Sequence, residues 1–191
     1  MTNKNGKPSD TTVSRIVADA LEGEVGLIDT APVYGDAESR LGALLPDDGD
    51  CAIVTKTVSR RHSTQFGKED SRIVRDGFTA SLDRLRRDAI YGLLVHAGSD
   101  LLEPGGERLV DTLREFQEAG LVQKIGVSIY DAEELDRILN VFKPEIVQLP
   151  LSVADQRLQQ SGHLAVLKAL GVEIHARSVF LQGVLLAEPT M

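Results

Sequence analysis

The sequence predicts a parallel α/β fold, and three observations lead there. Six short runs rich in β-branched residues recur along the 191 residues, with middles that are almost continuously apolar. Parallel strands covered on both faces have that pattern. Between the runs lie amphipathic stretches long enough to carry the chain back for another parallel strand. No linker, low-complexity tract or shift in composition breaks the alternation, so residues 1–191 read as a single domain.

In chain order, a first helix opens at Ser9 or Asp10 and carries Val13, Ile16, Val17, Ala20 and Leu21 on one face. Residues 26–31 (GLIDTA) form the first strand. A short helix over 37–45 is stopped by Pro46 and the polar 47–49 turn. The strand 51–57 (CAIVTKT) precedes a long helix over 71–87, whose stripe is Ile73, Val74, Phe78, Leu82 and Leu85. After the strand 91–97 (YGLLVHA) comes a helix over 107–119 that Gly120 is placed to end. The strand 124–130 (KIGVSIY), a helix over 131–140, the strand 146–152 (IVQLPLS), a helix over 162–170 and the strand 173–179 (EIHARSV) complete the series. Periodicity alone fits both a doubly wound sheet and a (β/α) barrel. No strand runs into a G-x-G-x-x-G turn or a Walker loop.

Composition narrows the functions. Lys and Arg total 21 against 29 Asp and Glu, a formal charge of −8, where a general nucleic-acid binder needs a basic footprint. Three Tyr, five Phe and no Trp leave little for base stacking. Cys51 is the only cysteine, so neither an internal disulfide nor a cysteine zinc cluster is expected, and no metal site is assigned. No apolar run approaches the ~20 residues of a membrane span, and the polar start does not read as a signal peptide. A cytoplasmic protein is expected.

Polar residues punctuate the C-terminal ends of the apolar strands: Asp29, Lys56, His96, Ser128, Gln148 and Arg177. In a parallel barrel that end carries the chemistry. Lys56 shares a strand face with Val54, so its ammonium must be answered by a carboxylate, and Asp29 is the partner one strand away. Tyr34 lies five residues past Asp29, placed to hang over the strand ends. A neighbouring ammonium favours the phenolate and lowers a tyrosine pKa from about 10. With a histidine to orient a carbonyl oxygen, the group suits protonation of the oxyanion left by hydride addition. Singly, Asp29 also reads as a cap, His96 as a core histidine and Tyr34 as a lid residue. Lys56, in its apolar strand, is the hardest to dismiss, though taken separately each signal is weak.

The spelling of these segments resembles the aldo-keto reductase family. Residues 27–42 (LIDTAPVYGDAESRLG) are similar to its Asp-Thr-Ala, Tyr-Gly, Glu and Leu-Gly motif. IVTKT (53–57), LLVHA (93–97), KIGVS (124–128) and EIVQLPL (145–151) resemble its later strands, in order. The resemblance implies a TIM-type barrel and reversible reduction of an aldehyde or ketone. It gives Tyr34 as general acid, Lys56 and Asp29 as its tuners and His96 as substrate orienter. Ser128 and Gln148 would meet the carboxamide of a nicotinamide cofactor, NADPH or less often NADH. Arg177 stands where many members press an aromatic ring on the nicotinamide, and Ile129 where many have Asn.

Six βα units are countable where the family has eight. The expectation is therefore a truncated barrel lacking the first and eighth strands and the grip on the adenosine 2′-phosphate, with open edges at 26–31 and 173–179 that favour self-association. A catalytically silent barrel fragment acting as an interaction module is the alternative, and a Schiff-base lyase or isomerase built on Lys56 a third reading. Selectivity is expected from the loops 62–70 and 98–106.

Overall fold

The computed structural model describes residues 7–46, 51–58 and 65–187. The expected 47–49 turn and the 62–64 part of the 62–70 loop lie outside these residues. Six parallel strands form one sheet in strict chain order. They are β1 (Leu27–Asp29), β2 (Ala52–Lys56), β3 (Ile90–Val95), β4 (Val122–Ser128), β5 (Ile146–Pro150) and β6 (Glu173–Arg177).

Helices return the chain between strands: α1 (Asp10–Glu22) before β1, then α2 (Ala37–Leu44), α3 (Lys68–Leu85), α4 (Ser99–Leu102), α5 (Glu107–Glu118), α6 (Ala132–Leu139), α7 (Arg157–Gln160) and α8 (His163–Ala169). A 3₁₀ segment, Leu181–Leu186, follows β6. Local chemistry sets the ends. Ser9 caps α1 by accepting from the Thr12 N–H, and Asp131 caps α6 through the Glu134 N–H. The third helix starts at Lys68, three residues before the sequence suggests, because the Asp70 carboxylate accepts the Gly67 N–H at 2.7 Å. In α1 only Val17 is fully buried; Ile16, expected on the buried face, is 56% exposed.

The two sheet faces carry separate apolar clusters. Toward the helices, Ile53, Leu93, Val95, Ile125, Val127, Val147 and Leu149 pack with Phe78, Leu113 and Leu135. On the other face Val54, Leu94 and Ile146 form a small cluster with Leu27 and Tyr91. That inner face is concave. On a flat sheet with strands ~4.8 Å apart, β1 and β5 would lie ~19 Å apart. Yet the Gln148 side chain on β5 donates to Asp29 on β1 at 2.9 Å. Likewise Glu173 on β6 accepts from Tyr91 on β3 at 2.6 Å and from Lys124 on β4. The sheet is a curled half-barrel. A Cβ at Gly126 would sit 2.1 Å from the Ile146 carbonyl oxygen, so the bare backbone there permits the close approach of β5. Among the described residues β1 pairs only with β2, and β6 only with β5, leaving two open edges.

The loop between β1 and α2 is fixed from behind. Glu38 is buried and accepts hydrogen bonds from Thr55, Ser81 and Arg84. That carboxylate ties α2 to β2 and α3. Gly42 lets α2 approach α3, since a Cβ there would lie 2.2 Å from the Arg84 carbonyl oxygen.

Candidate active site

The polar strand ends converge at the mouth of the half-barrel. The register pairs Asp29 with Val54 and Lys56 with Leu94, which sets Asp29 and Lys56 on the concave face at adjacent heights. The Lys56 side chain is 1% exposed, and its ammonium donates to both Asp29 oxygens, at 2.7 and 2.8 Å, and to the Thr30 carbonyl at 2.9 Å. All three of its protons are engaged. Burial lowers the Lys56 pKa, while Asp29 opposes that shift by charge and hydrogen bond. A lysine held this way has no free lone pair for a Schiff base.

Tyr34 enters the mouth from a turn in which its N–H donates to the Ala31 carbonyl and Gly35 adopts φ +69°. Its ring lies over the Lys56 ammonium, 5.1 Å away, and edge-on to His96 at 6.3 Å between centroids. The expected lowering of its pKa is not found. Burial first, and then the Asp29 charge, raise it; Arg177 pulls the other way. The physical reason is that burial disfavours the phenolate, and the Asp29 carboxylate that answers Lys56 adds its own negative charge nearby. Burial, then the Lys56 charge, lower the His96 pKa, so its imidazole is neutral near pH 7.

The remaining strand-end residues share the same cleft, about 620 Å³, with Ser128, Gln148 and Arg177 in its wall. Gln148 gives its NH₂ to Asp29 at 2.9 Å, which leaves its amide oxygen as an acceptor. Ile129 is fully buried in the core against the helices, so its side chain turns away from the cleft. Arg177 reaches across β5 to donate from Nη2 to the Ile129 carbonyl at 3.0 Å, and its guanidinium stacks 4.3 Å from the Tyr130 ring centre.

Sequence reasoning missed part of the wall: Tyr130 and the segment after β6, including Ser178, Phe180 and Gln182. Their signal was position alone, just beyond a strand's C-terminal end. The 98–106 segment is not in this wall. Residues 101–105 line a separate hollow of about 530 Å³ together with Arg137 and Val141. Among the described residues no cluster of His, Cys, Asp and Glu is arranged to hold a metal, and no helix is long and apolar enough to cross a membrane.

A half-barrel of parallel strands in this order belongs to the class of (β/α) barrels. The aldo/keto reductase family model matches residues 1–190, and the chain belongs to that family. An aldo-keto reductase of Mycolicibacterium vanbaalenii is 31% identical over 193 residues, covering 97% of this chain and 64% of the relative. The NADH-specific methylglyoxal reductase of Escherichia coli is 28% identical over 178 residues, covering 84% of this chain and 54% of the relative. In structure, the holo form of an aldo-keto reductase from Bacillus halodurans superposes with a TM-score of 0.79 at 20% identity, covering 97% of this chain and 63% of that one. The chain thus spans somewhat under two-thirds of the length of these relatives.

Proposed function

We propose that this site reduces a carbonyl compound to an alcohol with a nicotinamide dinucleotide, Tyr34 giving the proton. The observation that carries the reading is the Lys56–Asp29 pair beneath the Tyr34 ring, in a cleft whose other wall holds Ser128 and Gln148. A reduced nicotinamide supplies hydride when bound. The residues of the chain do the rest. Tyr34, its pKa raised, stays protonated through neutral pH and keeps its O–H available to a carbonyl oxygen as it gains charge. Asp29 and Lys56 neutralise each other and fix the floor on which that ring stands. Neutral His96 presents one N–H donor to the same oxygen.

The cleft fits the nicotinamide end of such a cofactor. The free amide oxygen of Gln148 suits a carboxamide NH₂, Ser128 lies beside it, and the Arg177–Tyr130 stack provides a flat wall. We assign NADPH from the family resemblance, with NADH the choice that the name of the Escherichia coli relative supports. The test follows loss of reduced-nicotinamide absorbance with each cofactor and a panel of aldehydes and ketones. Turnover abolished by Tyr34→Phe supports the reading. Cofactor binding without turnover of any carbonyl would make the chain a silent barrel instead.

A further inference from the structure

We propose that the hydrogen bond between Glu38 and Thr55 braces the proton donor: as positioning residues, the two set how the Tyr34 ring stands over Lys56. This rests on the reductase reading above and adds to it two residues that lie outside the wall of the cleft. The groups that the brace relates belong to separate elements. Lys56 ends β2, and Tyr34 stands on the loop between β1 and α2. The backbone hitches that loop to α2, because the Ala37 N–H donates to the Tyr34 carbonyl at 3.3 Å. A shift of α2 against β2 therefore moves the phenol against the ammonium.

Among the described residues, one hydrogen bond joins α2 to the sheet. The Thr55 hydroxyl donates to Glu38 Oε1 at 2.6 Å, with both residues buried. Side chains alternate along a strand, so Thr55 faces the helices beside Ile53 while Lys56 faces the cleft. The other carboxylate oxygen, Oε2, accepts from Arg84 at 2.7 Å and from Ser81 at 3.3 Å, both on α3. The charge is thus answered from α3, and Oε1 is left as the tie to β2. On its outer side α2 is held by Arg40, which pairs with Asp36 and the exposed Asp10; ion pairs at the surface hold little. A buried ion pair seldom stabilises a fold more than apolar residues of the same volume. Its place in an apolar layer is better accounted for by what it aligns. Four residues along from Tyr34, Glu38 grips the chain neighbour of Lys56.

The experiment removes the hydroxyl and leaves the charge paired with Arg84. Thr55→Val keeps a β-branched side chain of the same shape, while Thr55→Ser and Thr55→Ala differ by the hydroxyl alone. A misplacement of about 1 Å costs up to about 10²-fold in rate. The kcat for carbonyl reduction should therefore fall about tenfold in Thr55→Val and stay within about threefold of native in Thr55→Ser. Dinucleotide affinity, read by titration, should not move. Where Thr55→Val does not fold, the same difference is read between the Ser and Ala variants. Folded variants with native kcat, or a Ser variant as slow as the Ala one, overturn the brace. A loss carried by dinucleotide affinity overturns it too. The Tyr34 ring signal in protein labelled with carbon-13 tyrosine, assigned by its loss in Tyr34→Phe, needs no turnover. It should move in Thr55→Val and return in Thr55→Ser. If it does so in a chain inactive on every carbonyl, the brace stands and the reductase reading falls. If it stays in place in an active chain that Tyr34→Phe silences, the reductase reading stands and the brace falls.

Discussion

The Lys56 ammonium lies 5.1 Å from the centre of the Tyr34 ring, yet directs its protons to Asp29 and the Thr30 carbonyl. It supports the ring face electrostatically while leaving the phenol O–H to the cleft. The raised pKa of Tyr34 fixes the sign of the pH dependence. The proposed reduction, with Tyr34 as donor, needs the protonated phenol, so its rate should stay level through neutral pH. It should fall only above the ordinary tyrosine value of about 10. Alcohol oxidation, which needs the phenolate, should rise over that alkaline range. Tyr34→Phe should lose at least 10²-fold in kcat with cofactor affinity retained. A reduction limb falling near pH 7 would contradict the assignment.

Breaking the ion pair from its two sides should give unequal costs. Asp29→Asn leaves an ammonium that is 1% exposed without its counter-charge, which costs about 3–5 kcal/mol. Lys56→Met leaves a carboxylate that is 33% exposed and still bonded to Gln148. Its cost should be smaller, about 1–2 kcal/mol. Urea denaturation of both variants checks the order, and a larger loss in Lys56→Met would reverse it.

Strong acid should loosen β6. Burial opposes the charge of Glu173, but hydrogen bonds from His175, Lys124 and Tyr91 outweigh it and hold the carboxyl down at about 2. The unfolded chain takes up that proton near pH 4.3, so the contribution is present above that value and lost as pH falls toward 2. Stability of the native chain should drop more steeply than that of Glu173→Gln between about pH 4 and 2. Parallel curves would place the stabilisation elsewhere.

Gly126→Ala should cost about 3 kcal/mol or prevent folding, because the new methyl meets backbone at 2.1 Å rather than a side chain that can turn aside. Thermal denaturation measures it. A shift of less than a degree would mean that β4 and β5 separate at little cost.

The 191-residue chain should associate through its open edges. Light scattering should show dimers or larger species, reduced by Ala176→Lys on exposed β6. A monomer at high concentration would show both edges to be protected.

The strands were legible because Ile53, Val54, Leu93, Val95, Val127 and Val147 are buried on two different faces, which writes an unbroken apolar run. Lys56 and Asp29 were legible for the opposite reason: a charge inside such a run demands a partner. What stayed hidden depends on curvature. The Gln148–Asp29 bond joins residues 119 apart in the chain, and no local pattern encodes how far a sheet bends. The direction of the Tyr34 shift was hidden too, because it turns on how far the folded chain buries the phenol and how near it brings Asp29. The short α4 and α7, of four residues each, carry too few turns for a periodicity.

Strict chain order of the strands gives the site a history during synthesis. At ~5–20 residues per second the ribosome delivers the chain one βα unit at a time. Each new strand is the sequence neighbour of the strand it pairs with in the finished sheet. Asp29 and Lys56, which bond in the folded chain, are only 27 residues apart. Gln148 is delivered about 92 residues after Lys56, some 5–18 seconds later at that pace. Both residues of the ion pair are therefore synthesised well before the strap that draws the mouth together.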